Sequence, residues 1–340
     1  MIFESNDPSW FPFNYIEERD SFRCGKVDLV TIGQTSFMDR RMPHDPGTDI
    51  FIDARPELWR LPPGDPSLLF HTAFCGSTLL ARALHSPPRA VALKEPSVLV
   101  DLSAASLRPG EIHPDQLDAR LQVAVDLLSR AWSTGGRVLI KPTNQVNRLV
   151  SIILRARPTA RALFLHSTLE DFLVSCLKKM PLAESRIRWM AQHLLVGTDL
   201  CERLKINPFQ AFNLPESCVL TWYAQVEHFT KAIHNDATDN IRTLEFKVLL
   251  NRSVACVKAA AEWLKLEIPV AGFNDRVAGT FRLDSKSTGR GFDQRARAAE
   301  SDAVLAVYGE LISRTLRWAH DEIQPHAYSQ ATWKPLMIKQ

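Results

Sequence analysis

From residue 67 onward, short apolar runs alternate with longer stretches of helical period, and few folds accommodate that pattern. Leu68–His71, Ala90–Leu93, Val138–Ile140 and Ala162–Leu165 read as buried strands, and Ile241–Phe246 reads as another. A run that is apolar without alternation belongs to a strand buried on both faces. Between the runs lie amphipathic segments. In Leu117–Trp132 the apolar residues Leu117, Leu121, Ala124, Val125, Leu128 and Trp132 share one helical face. A shorter helix is expected over Val146–Leu154, closed off by Pro158. In Pro215–Ile233 the face is Val219, Trp222, Val226, Phe229 and Ile233, and Asn213 with Glu216 offers a capping box at its start. A last amphipathic helix covers Ala296–Ala319. Strands alternating with helices predict an α/β fold, a parallel sheet with helices on both faces. The helical middle, about 172–234, reads as an insertion on that sheet.

The first 66 residues read differently. Arg40–Pro66 is crowded with Pro, Gly and Asp, so residues 1–66 are expected to be an irregular N-terminal region packed on a main domain of residues 67–340. Trp10, Phe11, Phe13 and Trp59 are packing anchors there or the lining of an apolar pocket. Lys plus Arg is 41 against 38 Asp plus Glu, too even for a dedicated nucleic-acid binder. No apolar stretch is long enough to span a membrane, and the N-terminus lacks the basic-then-apolar order of a secretory signal. The six cysteines are scattered without a CxxC pair, so no zinc site or disulfide framework is expected and the cytoplasm is the default compartment.

The sharpest local feature is LLFHTAFCGSTLLARAL, Leu68 to Leu84. A buried strand ends, a turn holds Cys75, Gly76, Ser77 and Thr78, and an amphipathic helix follows. Backbone N–H groups at such a turn, with the positive end of a helix dipole, suit an anion. Ser77 and Thr78 add hydroxyl donors, and Gly76 admits a close backbone approach. The lysine of a Walker A loop is absent. An ordinary strand–turn–helix with a Ser/Thr cap fits the same residues.

The Cys75–Thr78 turn resembles the 5′-phosphosulfate loop of sulfotransferases. Three later segments are similar to that family in the same order. Val138–Ser175 has a strand ending in Lys141, a Pro158–Arg161 turn into the next strand, then Asp171 with Ser175. Thr243–Leu266 carries Glu245 and Leu249, and Phe281–Phe292 is a basic, glycine-bearing segment. The resemblance spans about residues 67–292. It implies a P-loop nucleotide-binding-type parallel sheet, and 3′-phosphoadenosine 5′-phosphosulfate (PAPS) as donor with no metal. It places the 3′-phosphate near Ser175 and Lys178, with Lys286 and Arg290 in a loop over it. Phe74 and Ser167 stand where the family has cations, so Lys94, Lys141, Lys178, Lys286 and Arg290 are candidates to compensate.

Sulfuryl transfer needs cations for the leaving group and a base for the acceptor proton. Glu95, just past the second strand, is the expected base. Lys94 and Lys141 each end a buried strand, where a lysine meets either an anion or a carboxylate partner. His71 and His166 also lie at strand ends and, with His85 and His113, are candidate bases or ligands, though no spacing supports a metal site. Cys75 at a helix N-terminus is a weak candidate thiolate. The expected function is a sulfotransferase acting on a hydroxyl or amine of a small molecule or peptide. A nucleotide-dependent transferase using ATP, or a degenerate phosphate-loop protein that binds without catalysis, are the alternatives.

Overall fold

The computed structural model describes residues 3–39, 41–55, 64–108, 113–282 and 294–338. In chain order the elements are β1 (Trp10–Ile16), β2 (Ser21–Lys26), α1 (Leu29–Gln34), β3 (Ile50–Asp53), β4 (Ser67–His71), α2 (Ser77–Leu84), β5 (Ala90–Lys94) and α3 (Ser97–Ala105). Then follow α4 (Pro114–Leu128), β6 (Arg137–Lys141), α5 (Val150–Ala156), β7 (Arg161–His166), α6 (Leu169–Leu177), α7 (Glu184–Leu195), α8 (Asp199–Leu204) and α9 (Leu214–His234). The chain closes with β8 (Ile241–Glu245), α10 (Phe246–Asn251), α11 (Ser253–Trp263), α12 (Phe273–Phe281) and α13 (Gln294–Trp318).

β4 to β8 form one five-stranded parallel sheet in the order β5-β6-β4-β7-β8. Its two faces feed two cores. Leu68 and Phe70 of β4 enter one, with Val91, Leu93, Val138, Ile140 and Phe164. Leu69 enters the other, with Ala90, Ala92, Leu139, Leu163 and Leu165. Successive side chains of a strand point to opposite faces, so burying both demands an unbroken apolar run. α9 begins with the expected capping box of Asn213 and Glu216. The expected helix at Val146 starts instead as a 3-10 turn over Asn144–Leu149 and becomes α-helical at Val150.

The N-terminal region departs from the irregular expectation. β1, β2 and β3 make a three-stranded antiparallel sheet. Pro12 sits at a register shift in β1, which is how a strand tolerates a missing donor. This sheet is stitched to α3: Ser97 Oγ donates to the Phe13 carbonyl, and Asp101 accepts from the Tyr15 amide and Asn14. Trp10, Phe11 and Phe13 are buried in the core rather than lining a pocket; Trp59 lies outside the described residues. No helix among the described residues is long and apolar enough to cross a membrane.

Candidate functional site

The strand order fixes where a ligand can sit. From central β4 the chain moves to β5 and β6 on one side, then crosses back to β7 and β8 on the other. The connections therefore diverge between the carboxyl ends of β4 and β6, which opens a crevice there. A cavity of about 330 Å³ occupies it. Its floor and one wall come from strand ends and the turn between β4 and α2: His71, Ala73, Phe74, Gly76, Ser77 and Thr78, with Glu95, Thr143 and Asn144. The facing walls are Phe37 and Arg41, Phe172 and Lys179, Thr221 of α9, and Ala183, Arg186, Ile187 and Met190 around α7.

The loop is shaped by backbone that turns left-handed. Ala73, Phe74 and Gly76 have φ of 65°, 53° and 72°. Non-glycine residues resist that region, and such strain concentrates at binding sites. Gly76 has a second reason to be glycine: a Cβ there would lie 2.6 Å from Phe246 Cε2. The first intrahelical bond of α2 is Leu80 N–H to the Gly76 carbonyl, so the preceding amides are not used by the helix ladder. Together with the Ser77 and Thr78 hydroxyls they form a neutral donor cluster at the positive end of a helix dipole.

Behind the loop lies a buried amide network. Gln225 of α9, fully buried, donates to the carbonyls of Thr72 (3.3 Å) and Thr221 (3.0 Å). Its own oxygen accepts from Asn144 (3.2 Å) and Asn147 (3.0 Å), and Asn147 also donates to the His71 carbonyl (3.0 Å). This network ties the carboxyl end of β4 to the segment after β6, and so sets the position of the loop.

Glu95 also has positive φ, 59°, and its amide donates to the Lys141 carbonyl at 2.7 Å. That geometry turns its carboxylate into the cavity, where Lys141 Nζ donates to Oε1 at 2.6 Å. Lys141 is wholly buried, so this pair is the charge compensation its ammonium needs. His71 Nδ1 accepts the Ala73 amide at 3.0 Å, so in the neutral ring the proton is on Nε2. Nε2 lies 4.0 Å from Glu95 Oε1. Glu95, Lys141 and His71 thus form one cluster beside the turn between β4 and α2.

Other sequence candidates fall elsewhere. Lys94 is fully buried on the α1 side and donates to the carbonyls of Ile32 (2.8 Å) and Gly33 (3.3 Å). Burial first, and then the charges of Arg82 and Lys141, bring its ammonium down to about 8. It does not line the cavity: β5 and β6 are in register, Lys94 beside Lys141, and the single carboxylate goes to Lys141. The Cys75 thiol points inward, 3.4 Å from the Leu165 carbonyl, and burial pushes it up to about 11. A thiol so placed is inert, and only the backbone of Cys75 belongs to the loop. Ser175 is half-buried on α6 and does not line the cavity. Lys178 pairs with Glu300 of α13, whereas its neighbour Lys179 turns to the cavity and sits 4.2 Å from the Phe74 ring centroid. Lys286 and Arg290 lie outside the described residues. His85 accepts the Ala92 amide, His166 packs edge-on against Trp333, and burial brings both down to about 4. His113 caps α4 at the surface. Among the described residues no His, Cys, Asp or Glu group could hold a metal ion.

The sequence reading missed Arg41, Lys179 and Arg186 on the walls and the Gln225 network behind them. Gln225 did leave a signal, a polar residue beside Val226 and Trp222 on the buried side of α9. Arg186 left none, because a charged residue on an amphipathic helix looks like solvated surface.

No family model and no curated protein matches the chain. Solved structures that it resembles include a sulfotransferase from Mycobacterium avium, at 12% identity over 76% of this chain and 79% of that one, with a TM-score of 0.41. A sulfotransferase from Alicyclobacillus acidocaldarius is 14% identical over 73% of this chain and 96% of that one, with a TM-score of 0.37. The sulfotransferase domain from the curacin biosynthetic pathway is 10% identical over 72% of this chain and 98% of that one, with a TM-score of 0.40. Identities and TM-scores this low carry no activity across, so the chemistry of the site has to carry the function.

Proposed function

We propose that this chain transfers a sulfuryl group from 3′-phosphoadenosine 5′-phosphosulfate to a hydroxyl of a small acceptor. One observation carries the reading. A carboxylate held by a buried lysine shares a cavity with a helix start whose free amides and hydroxyls suit an anion. That combination joins a proton acceptor to a seat for a departing phosphate, the two parts that sulfuryl transfer requires.

In this reading Glu95 takes the proton of the acceptor hydroxyl. The acceptor oxygen bonds to sulfur as the bond from sulfur to the 5′-phosphate oxygen breaks, and the electron pair leaves with adenosine 3′,5′-bisphosphate. The amides at the start of α2 and the Ser77 and Thr78 hydroxyls receive the charge that develops on that phosphate. Lys141 is a positioning residue, since its Nζ fixes Oε1 of Glu95 and leaves the other oxygen for the acceptor. The Nε2 proton of His71 faces the same carboxylate. Lys179 supplies a wall cation that Phe74 and Ser167 do not.

The test is Glu95→Gln, assayed with sulfur-labelled donor over a panel of hydroxyl acceptors. Turnover is expected to fall by about 100-fold or more, as for loss of a general base, while the affinity for adenosine 3′,5′-bisphosphate stays within about threefold. Undiminished turnover in Glu95→Gln would overturn the assignment of the base. Absence of transfer in the parent protein would overturn the reaction.

A further inference from the structure

The cavity is lined by three cations, Arg41, Lys179 and Arg186, and one carboxylate, Glu95. Glu95 is already compensated by Lys141. Arg41 is bound to Asp39, and Lys179 lies against Phe74 of the phosphate loop. Arg186 differs from both. It makes no ion pair or hydrogen bond with any described residue, yet it stands on a cavity wall. The wall residues next to it along the chain, Ala183, Ile187 and Met190, are apolar. Arg186 and Met190 are one turn apart on α7, Ile187 lies between them, and Ile187, Met190 and Phe172 are buried.

We infer that Arg186 binds a carboxylate on the acceptor, whose apolar body lies on Phe172, Ile187 and Met190 and whose hydroxyl meets Glu95. The acceptor class is then a small aromatic or alicyclic hydroxy acid. This deepens the sulfuryl-transfer reading and rests on it. A guanidinium beside an apolar wall suits a planar anion, because it binds a carboxylate in a bidentate fork and is weakly hydrated. The phosphate that leaves the donor has its own seat at the start of α2, so Arg186 is not needed there. The transfer itself is unchanged: the hydroxyl proton goes to Glu95, the new bond is oxygen to sulfur, and adenosine 3′,5′-bisphosphate leaves.

The experiment compares para-hydroxyphenylacetate with its amide as acceptors, for the parent, Arg186→Gln and Arg186→Lys, with binding of adenosine 3′,5′-bisphosphate measured on each protein. The parent is expected to prefer the acid. In Arg186→Gln the KM for the acid rises by about 10- to 100-fold, the range for a charge-assisted contact, while kcat and the KM for the amide hold. Arg186→Lys restores part of the preference. Three outcomes overturn the inference: equal use of acid and amide by the parent, use of neither, or a loss in Arg186→Gln that falls on the nucleotide instead. Failure of the parent to bind the nucleotide at all would instead remove the sulfuryl-transfer reading beneath it.

Discussion

Gly76→Ala probes the loop and its setting together. At φ 72° an alanine pays for left-handed backbone, about 1 kcal/mol. The new Cβ would also sit 2.6 Å from Cε2 and 3.0 Å from Cδ2 of Phe246, a residue 3% exposed. A buried ring has little room to yield, and overpacking of this kind costs about 1–3 kcal/mol. The sum is a loss of about 2–4 kcal/mol in stability. Affinity for adenosine 3′,5′-bisphosphate should fall by more than about tenfold, because a shift of the loop misdirects every amide at the start of α2. Urea unfolding and calorimetric titration read the two effects separately. Trimming the ring isolates the contact: in the Phe246→Leu background, Gly76→Ala should cost only about the backbone component, near 1 kcal/mol. A Gly76→Ala protein within about 0.5 kcal/mol of the parent, with unchanged affinity, would refute both the close approach and the role of the loop.

Three further outcomes concern buried groups in and around the site. Lys94→Met should leave nucleotide affinity and turnover within about twofold, since Lys94 serves carbonyls of α1, whereas Lys141→Met should lower turnover by more than about tenfold by releasing Glu95; equal effects would contradict the assignment. Cys75→Ala should keep turnover, and the parent should resist thiol alkylation at pH 8 while native, because burial holds the thiol near 11; rapid modification with loss of activity would contradict this. Burial also holds His85, His166, His193 and His228 near 4. Their folded values lie below the unfolded value of about 6.5, so the unfolded chain takes up more protons between the two. Stability is therefore complete above about pH 6.5 and falls progressively toward pH 4, most steeply near pH 5. A flat unfolding free energy across that window would show that these rings are not buried as described.

Much of the sheet was legible because strands buried on both faces need unbroken apolar runs, and the four such runs became β4 to β7, while β8 at the edge carries Arg242, Thr243 and Glu245 among its apolar residues. The N-terminal sheet was not, because Pro12 breaks the pattern of β1 and β3 spans only Ile50–Asp53. The turn before α2 and the place of Glu95 just past β5 were legible because turn chemistry and strand ends are local. The fates of the lysines were not local. Lys94 and Lys141 have the same sequence setting, an apolar strand and then a turn, and differ only in whether α1 carbonyls or Glu95 lie opposite. Lys178 and Lys179 differ by one step past the end of α6, which sends one to Glu300 and the other to the cavity. Gln225 acts across 153 residues of chain, on the Thr72 carbonyl, and no sequence spacing encodes that partnership.

The central claim is that the crevice between β4 and β6 holds a 3′-phosphorylated adenine nucleotide. Calorimetric titration with adenosine 3′,5′-bisphosphate, and with ADP and ATP alongside, tests it most directly. The account predicts micromolar binding of the 3′-phosphorylated nucleotide, at least about tenfold tighter than ADP, a margin that one extra charge-assisted contact can provide. Equal affinity for ADP, or binding of ATP alone, would contradict it.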